Sequence, residues 1–597
     1  MISVTNRSKV LPSERQHFSL LMPSCAVTSK WPGPDALRSY TSCIAPTFLA
    51  GHCAMPLPSM LLLSRLLLLF VIPLAGFASA RPNFVMIAID DLNHYTTPHL
   101  DQPDNFLRRV YSDPKRLAEI GRRLTPNLQR LASQSLSFSR AYCASALCGP
   151  SRTALLGGIP PHLSGYYQHN EHFRHNPALK EVVTLPQYLK TQGWFTTGLG
   201  KVFHKQMVEM RDGVRQDWPD SDYSWTRWVE RRVGANADQG MAEHHGRSDP
   251  VPAARRTLSP YSPNDGLFTF GVSHIPVEET FDFQNARFAA DLIAKGRASI
   301  IDGRGQPTEV VLPPDQPFFL GLGLFLPHLP WVVPQEFLDR FPVAEMRIDS
   351  ELVRWVTDDI TDLPAGTARQ WLGKDFDSLI ATGEKLHGPG GVTEAWKSAL
   401  QHYLASIAFA DHCLGQVIDA LERSPHRDNT VVLLWGDHGW NLGDKRRFRK
   451  QALWEGANHT TLLWRDPAAA AGHHGLVCNR LVSLQDIYPT LAARAGLPVP
   501  AHVHGRDLAP LLADPQAPWE NVLLQTYNQG NHALRTATHR YISYADGGRE
   551  LYDLRADPFE ITNLAADPAH AADVAAFHAQ LTAFLARDSA FYRKTTP

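Results

Sequence analysis

Cys148-Gly149-Pro150-Ser151-Arg152 puts a thiol, a hydroxyl and a permanent cation within a few residues of one another. Pro150 suits the first turn of a helix, where its missing N–H costs nothing, and Gly157-Gly158 is a natural stop. The spacing predicts a short helix with Cys148 at its N-terminus, facing free N–H groups and the positive end of the helix dipole. Such a cradle holds an anion and activates a nucleophile. The same residues also fit a buried cysteine beside a proline turn. The rest of the chain has to decide.

Acids and bases recur where apolar runs end. Residues 84–89 run into Asp90-Asp91, and 431–435 lead through Gly436 into Asp437-His438. Three carboxylates brought together repel one another unless a cation sits among them, and hard oxygen donors point to Ca²⁺ or Mg²⁺ before zinc. His438 is a softer member of that set. Lys201 and His204 follow the run 194–199, and His328 follows 318–325. Lys201 and Lys450 have the charge to neutralise an anionic group, while His204 and His328 titrate in the range needed for proton transfer.

The elements that must position these residues read as an α/β fold. Apolar runs alternating with helical segments imply a large, mainly parallel sheet flanked by helices, and ligands gather beyond the carboxyl ends of such strands. Segments 403–421 and 482–496 are apolar at helical spacing and read as sheet-covering helices. Cys413 in the first reads as core. Residues 207–274, rich in Arg, His, Gly and Pro, read as a long surface excursion. Beyond Pro500, segments 536–544 and 550–554 form a hairpin around Asp546-Gly547-Gly548. A closing helix follows to about Arg587, with Asp567 as its N-cap. This predicts a catalytic domain over 81–499 and a small α+β subdomain over 500–597.

The 597 residues carry 44% hydrophobic and 20% charged residues at a net charge of −1, which marks neither a disordered chain nor a nucleic-acid binder. Residues 60–80 have a basic residue, an apolar run too short to span a membrane, and Ala78-Ser79-Ala80 as a cleavage site. They read as a signal peptide of a secreted or periplasmic protein without a stable membrane anchor. Residues 1–59 then read as a mis-assigned upstream extension. The mature chain keeps Cys143, Cys148, Cys413 and Cys478, too few for a disulfide scaffold.

Cys148-x-Pro150-Ser151-Arg152 with Gly158 resembles the sulfatase signature, in which the cysteine is oxidised to formylglycine by a maturation enzyme. The blocks at 81–91, 200–204, 318–328 and 436–443 resemble the iduronate-2-sulfatase branch. Ser483–Thr490 and Glu550–Leu554 resemble common sulfatase C-terminal patterns. The resemblance covers about 81–564 and implies an alkaline-phosphatase-like fold. It implies one calcium ion held by Asp90, Asp91, Asp437, His438 and residue 148. It further implies that Arg152 positions the hydrated aldehyde and that Lys201 and Lys450 balance sulfate charge. His204 would be the base that releases sulfate and His328 the acid that protonates the leaving oxygen. The implied substrate is a sulfated carbohydrate.

Departures from the branch bear on specificity. Leu326 stands where it carries lysine, Gly157 where the signature has Thr or Ser, and residues 92–124 contain an insertion. Two rival readings are a phosphomonoester or phosphonate hydrolase of the same superfamily and a glycan-binding pseudoenzyme with unconverted Cys148.

Overall fold

The structure, a computed structural model, describes residues 81–595 except positions 170, 205–208, 212–213, 217–218, 231–252, 264–267, 303–304, 373 and 470. The signal peptide expected at 60–80 and the extension 1–59 lie outside the described residues.

Seven-residue apolar runs become buried strands. The central sheet contains β1 (Asn83–Ile89), β2 (Leu136–Tyr142), β3 (Phe195–Gly200), β4 (Arg227–Val229), β5 (Phe318–Leu324), β6 (Thr430–Gly436), β7 (His459–Arg465), β8 (Val477–Cys478) and β9 (Val482–Ser483). Their order is β8-β2-β7-β6-β1-β5-β3-β4, with β9 also beside β2. The run β6-β1-β5-β3-β4 is parallel, and β7 is antiparallel to both its neighbours.

Alternate side chains of β1 feed opposite faces, as the pleat requires. Val85, Ile87 and Ile89 join a core that includes helices α2 (Phe281–Lys295) and α3 (Val392–Arg423). Phe84, Met86 and Ala88 join a second core with α1 (Cys148–Gly157) and α4 (Ile487–Arg494). A layer of sheet between two layers of helices results. Helix α3 extends well beyond the expected 403–421, and Cys413 within it is fully buried.

Two sequence readings need correction. Segment 482–496 is not helical throughout: β9 comes first, a capping box of Ser483 and Asp486 then starts a 3-10 turn (Leu484–Asp486), and α4 continues from it at Ile487. The described part of 207–274 is more than a surface excursion. It supplies edge strand β4 and two strands, Arg256–Leu258 and Phe270–Ser273, of a small sheet completed by Trp331–Pro334. Trp225, Phe268 and Phe270 are buried and hold this segment down.

The tail forms a four-stranded antiparallel sheet, β10 (Leu523–Thr526), β11 (His532–Arg535), β12 (His539–Ser543) and β13 (Arg549–Asp553). The last two pair around Gly547, whose φ of +93° suits a residue without a Cβ. Helix α5 (Ala571–Thr595) covers one face through Leu581, which packs with Leu534, Tyr541 and Leu551. Asp567 accepts from Ala569 N, capping the 3-10 turn that leads into α5.

Candidate active site

Four adjacent parallel strands end at one place. Ile89 pairs with Gly436 and with Leu324, so Asp90-Asp91 emerge between Asp437-His438 and the turn 325–328. Gly323 pairs with Gly200 on the next strand. Gly200 has a φ of +74°, and a Cβ there would stand 2.0 Å from the Gly323 carbonyl oxygen, so only glycine lets the chain turn to present Lys201.

Helix α1 enters this edge from the other layer. Its N-cap is Leu147, its C-cap Gly158 at φ +74°, and Cys148 lies in the first turn, as the proline and glycines predict. Ser151 Oγ donates to the Asp437 carbonyl at 2.5 Å. Arg152 Nε donates to Asp437 Oδ2 at 2.9 Å and Nη2 to Asp90 Oδ1 at 3.0 Å. Its Nη1 donates to the carbonyls of Lys201 and Val202. One fully buried guanidinium therefore ties α1 to the ends of β1, β3 and β6, a use that its planar fork permits.

Around the Cys148 sulfur stand Lys450 Nζ at 2.9 Å, His438 Nε2 at 3.3 Å, and Asp91 Oδ1 and Lys201 Nζ at 3.9 Å each. Lys450 also donates to Asp91, and Lys201 to Asp90. His328 Nε2 is 4.0 Å from Asp91 Oδ2, and its Nδ1 meets the Leu329 carbonyl. His438 Nδ1 meets the Gly439 carbonyl at 2.9 Å, which leaves Nε2 as the lone pair facing the acids. His204 stacks on His169 with ring centroids 4.3 Å apart, and a Cβ on Gly149 would meet the His169 Cβ at 2.4 Å. His204 thus approaches the start of α1 through a second imidazole.

Burial dominates the electrostatics. It pushes the Asp91 carboxyl up to about 7 against the pull of Lys450, whereas Asp90 and Asp437 stay below the usual carboxylate range beside Lys201 and Arg152. Burial, and then the Asp90 charge, hold the Cys148 thiol above its ordinary range, making it a poor thiolate nucleophile. Burial and then Lys201 and Lys450 hold His328 well below its ordinary value.

The cluster has the donors to hold a metal ion. Asp91 Oδ2 is buried with no hydrogen-bond partner, and ligand atoms of Asp91, Cys148, Asp437 and His438 lie within 4.8 Å of one another. A second grouping joins Asp90, Asp91, Cys148 and His328. All the sequence-derived acids, Cys148, Arg152, both lysines and His328 converge here.

Tyr403 is a residue that sequence reasoning missed. Its hydroxyl donates to the Asp91 carbonyl at 2.9 Å from within α3. With the Asp91 N–H donating to Asp437 Oδ1 at 3.0 Å, it holds Asp91 at φ +60°, an uncommon conformation for a residue with a Cβ. The only sequence signal was a hydroxyl inside an apolar helix.

The sulfatase family model matches residues 82–497, about the whole of the central sheet and its helices. The chain belongs to the sulfatase family. A second model, the C-terminal region of N-sulphoglucosamine sulphohydrolase, matches 436–587. This sulfatase is 29% identical over 490 residues to a sulfatase of Formosa agariphila, covering 81% of this chain and 83% of that one. It is 26% identical over 408 residues to human iduronate 2-sulfatase, covering 63% of this chain and 65% of that one. In fold it matches the phosphonate monoester hydrolase of Agrobacterium radiobacter with a TM-score of 0.61 at 21% identity, over 85% of this chain and 96% of that one.

Proposed function

We propose that this sulfatase hydrolyses sulfate monoesters on a sulfated carbohydrate, using formylglycine made from Cys148 and a calcium ion held by Asp90, Asp91, Asp437, His438 and residue 148. The observation that carries this reading is the setting of Cys148. Its sulfur is buried at a helix N-terminus, between two lysines and a carboxylate–histidine cluster with an unpartnered acid oxygen. The bound calcium would polarise a sulfate oxygen, and the hydrated aldehyde would supply the attacking hydroxyl.

The protein's own groups divide the remaining work. Arg152 fixes the helix start against Asp90 and Asp437, so residue 148 cannot drift from the acids. Lys201 and Lys450 both face the same sulfur and would neutralise the oxygens of a bound sulfate as their charge grows. His328 presents Nε2 toward the cluster. To protonate a leaving sugar oxygen it must first gain a proton, and an anionic sulfate offsets the two lysines that oppose this. His204 is the base in this scheme. The protein would be exported through residues 60–80 and matured by a formylglycine-generating enzyme. Residues 81–499 would form the catalytic domain and 500–597 the subdomain.

The fold likeness to a phosphonate monoester hydrolase favours a second reading, in which a phosphate or phosphonate ester is the substrate. Comparing kcat/KM on an aryl sulfate, an aryl phosphate and an aryl phosphonate separates the two. The sulfatase reading expects the sulfate to be preferred, and sulfate release from a panel of sulfated sugars then identifies the carbohydrate. A preference for phosphate or phosphonate esters overturns it.

A further inference from the structure

A second group of buried ligand atoms lies outside the proposed reaction. Asn93, two residues beyond Asp91, bridges antiparallel to Thr460, which brings His94 beside His459 at the start of β7. The two imidazoles stack, with centroids 3.7 Å apart and planes at 13°. Both are almost fully buried. Asp104, from the inserted segment 92–124, completes the group: its Oδ2 is 2.7 Å from His459 Nδ1 and 3.2 Å from His94 Nε2. The ligand atoms of all three residues lie within 4.8 Å of one another.

The hydrogen bonds define the problem this cluster poses. His459 Nε2 lies 2.8 Å from the Ser139 carbonyl, which only accepts, so Nε2 carries the proton. In the neutral ring, Nδ1 is then a lone pair pointed at a carboxylate oxygen. Neither nitrogen of His94 makes an aligned hydrogen bond, although Nε2 faces the same oxygen. His99, also on the insertion, is fully buried with both nitrogens unpartnered, close enough to feel the charges of His459 and His94. A neutral His459 therefore turns a lone pair on a carboxylate 2.7 Å away, a contact that is repulsive unless a proton or a metal cation lies between.

We propose that His94, Asp104 and His459 bind a second metal ion of structural type, Zn²⁺ by the chemistry of its ligands. Two imidazoles and one carboxylate suit zinc better than calcium, and an imidazole that donates its other N–H to a backbone carbonyl is the usual outer support of such a ligand. A water is left for the fourth position. The ion pins the insertion to the β1–β7 junction and shares no residue with the proposed catalytic centre. Its failure would therefore leave the sulfatase reading untouched.

The test is metal binding by the full chain, cleared of metal with a chelator and then saturated with Ca²⁺. Equilibrium dialysis with Zn²⁺ should show one tightly bound ion per chain. Co²⁺ in its place should give the visible absorption of a four-coordinate site with nitrogen ligands. Cys148→Ala should keep the ion, whereas His94→Gln and His459→Gln should weaken binding at least 100-fold. Should those variants fail to fold, Asp104→Asn, at a partly exposed side chain, is expected to weaken it as well. Absence of Zn²⁺ binding in the wild-type chain, or binding lost in Cys148→Ala and kept in the Asp104 and histidine variants, overturns the proposal.

Discussion

Arg152 Nε donates to Asp437 Oδ2 at 2.9 Å, and neither side chain is exposed to solvent. This contact joins the helix that carries Cys148 to the strand end that carries His438, so the geometry of the site depends on a buried ion pair. Removing one partner of such a pair leaves the other charge buried alone, at a cost of about 3–5 kcal/mol. Arg152→Ala is expected to lower thermal stability by that order. Arg152→Lys should recover little of it, because an ammonium cannot span Asp90 and Asp437 together. Thermal unfolding of both variants checks this, and a lysine variant as stable as wild type would contradict it.

Asp91 should make the metal-free protein pH-sensitive. Its carboxyl titrates at about 7 when folded and at 3.8 as an ordinary aspartate. The folded chain thus holds a proton that the unfolded chain gives up, and Asp91 costs progressively more stability as pH rises from about 4 to about 7. A metal that needs the carboxylate displaces that proton. Stabilisation by Ca²⁺ is therefore expected to grow over the same interval. Melting temperatures with and without Ca²⁺ from pH 4 to 8 measure both trends, and a calcium effect that is flat with pH would refute the assignment of Asp91.

Asp437→Ala removes an acid that Arg152, His438 and the Asp91 N–H all face. Turnover should be lost, and Ca²⁺ should no longer raise the melting temperature. A variant that keeps calcium stabilisation takes Asp437 out of the ligand set.

His328→Gln tests the proton donor. General acid catalysis contributes about 10²–10⁴-fold, and its value grows with the basicity of the leaving oxygen. The fall in kcat should be large for a sulfated sugar and small for an aryl sulfate, whose leaving group needs no proton. Equal losses on both would mean that His328 positions substrate instead.

Much of the site was legible because the strands that carry it are buried on both faces. Asp90, His328 and Asp437 follow continuous apolar runs and Lys201 a run broken only by Thr196-Thr197, and a polar group after such a run stands at the sheet's carboxyl edge, where ligands gather. The helix at Cys148 was legible from Pro150 and Gly158, which are local signals. What was hidden depended on contacts far apart in sequence. Tyr403 reaches Asp91 across 312 positions, and nothing in an apolar helix marks one hydroxyl as a brace. His94 meets His459 through a β-bridge between Asn93 and Thr460, which no local pattern announces. The strands inside 207–274 have three or four residues, too few to show a period, and their buried aromatics are irregularly spaced.

The central claim is that residue 148 acts as an aldehyde and not as a thiol. The most direct measurement is the mass of the peptide containing position 148, from protein produced with a formylglycine-generating enzyme and still active on an aryl sulfate. The expected result is conversion of Cys148 to the aldehyde, in a fraction that tracks specific activity from one preparation to the next. Full activity in protein whose Cys148 is entirely unconverted would contradict it.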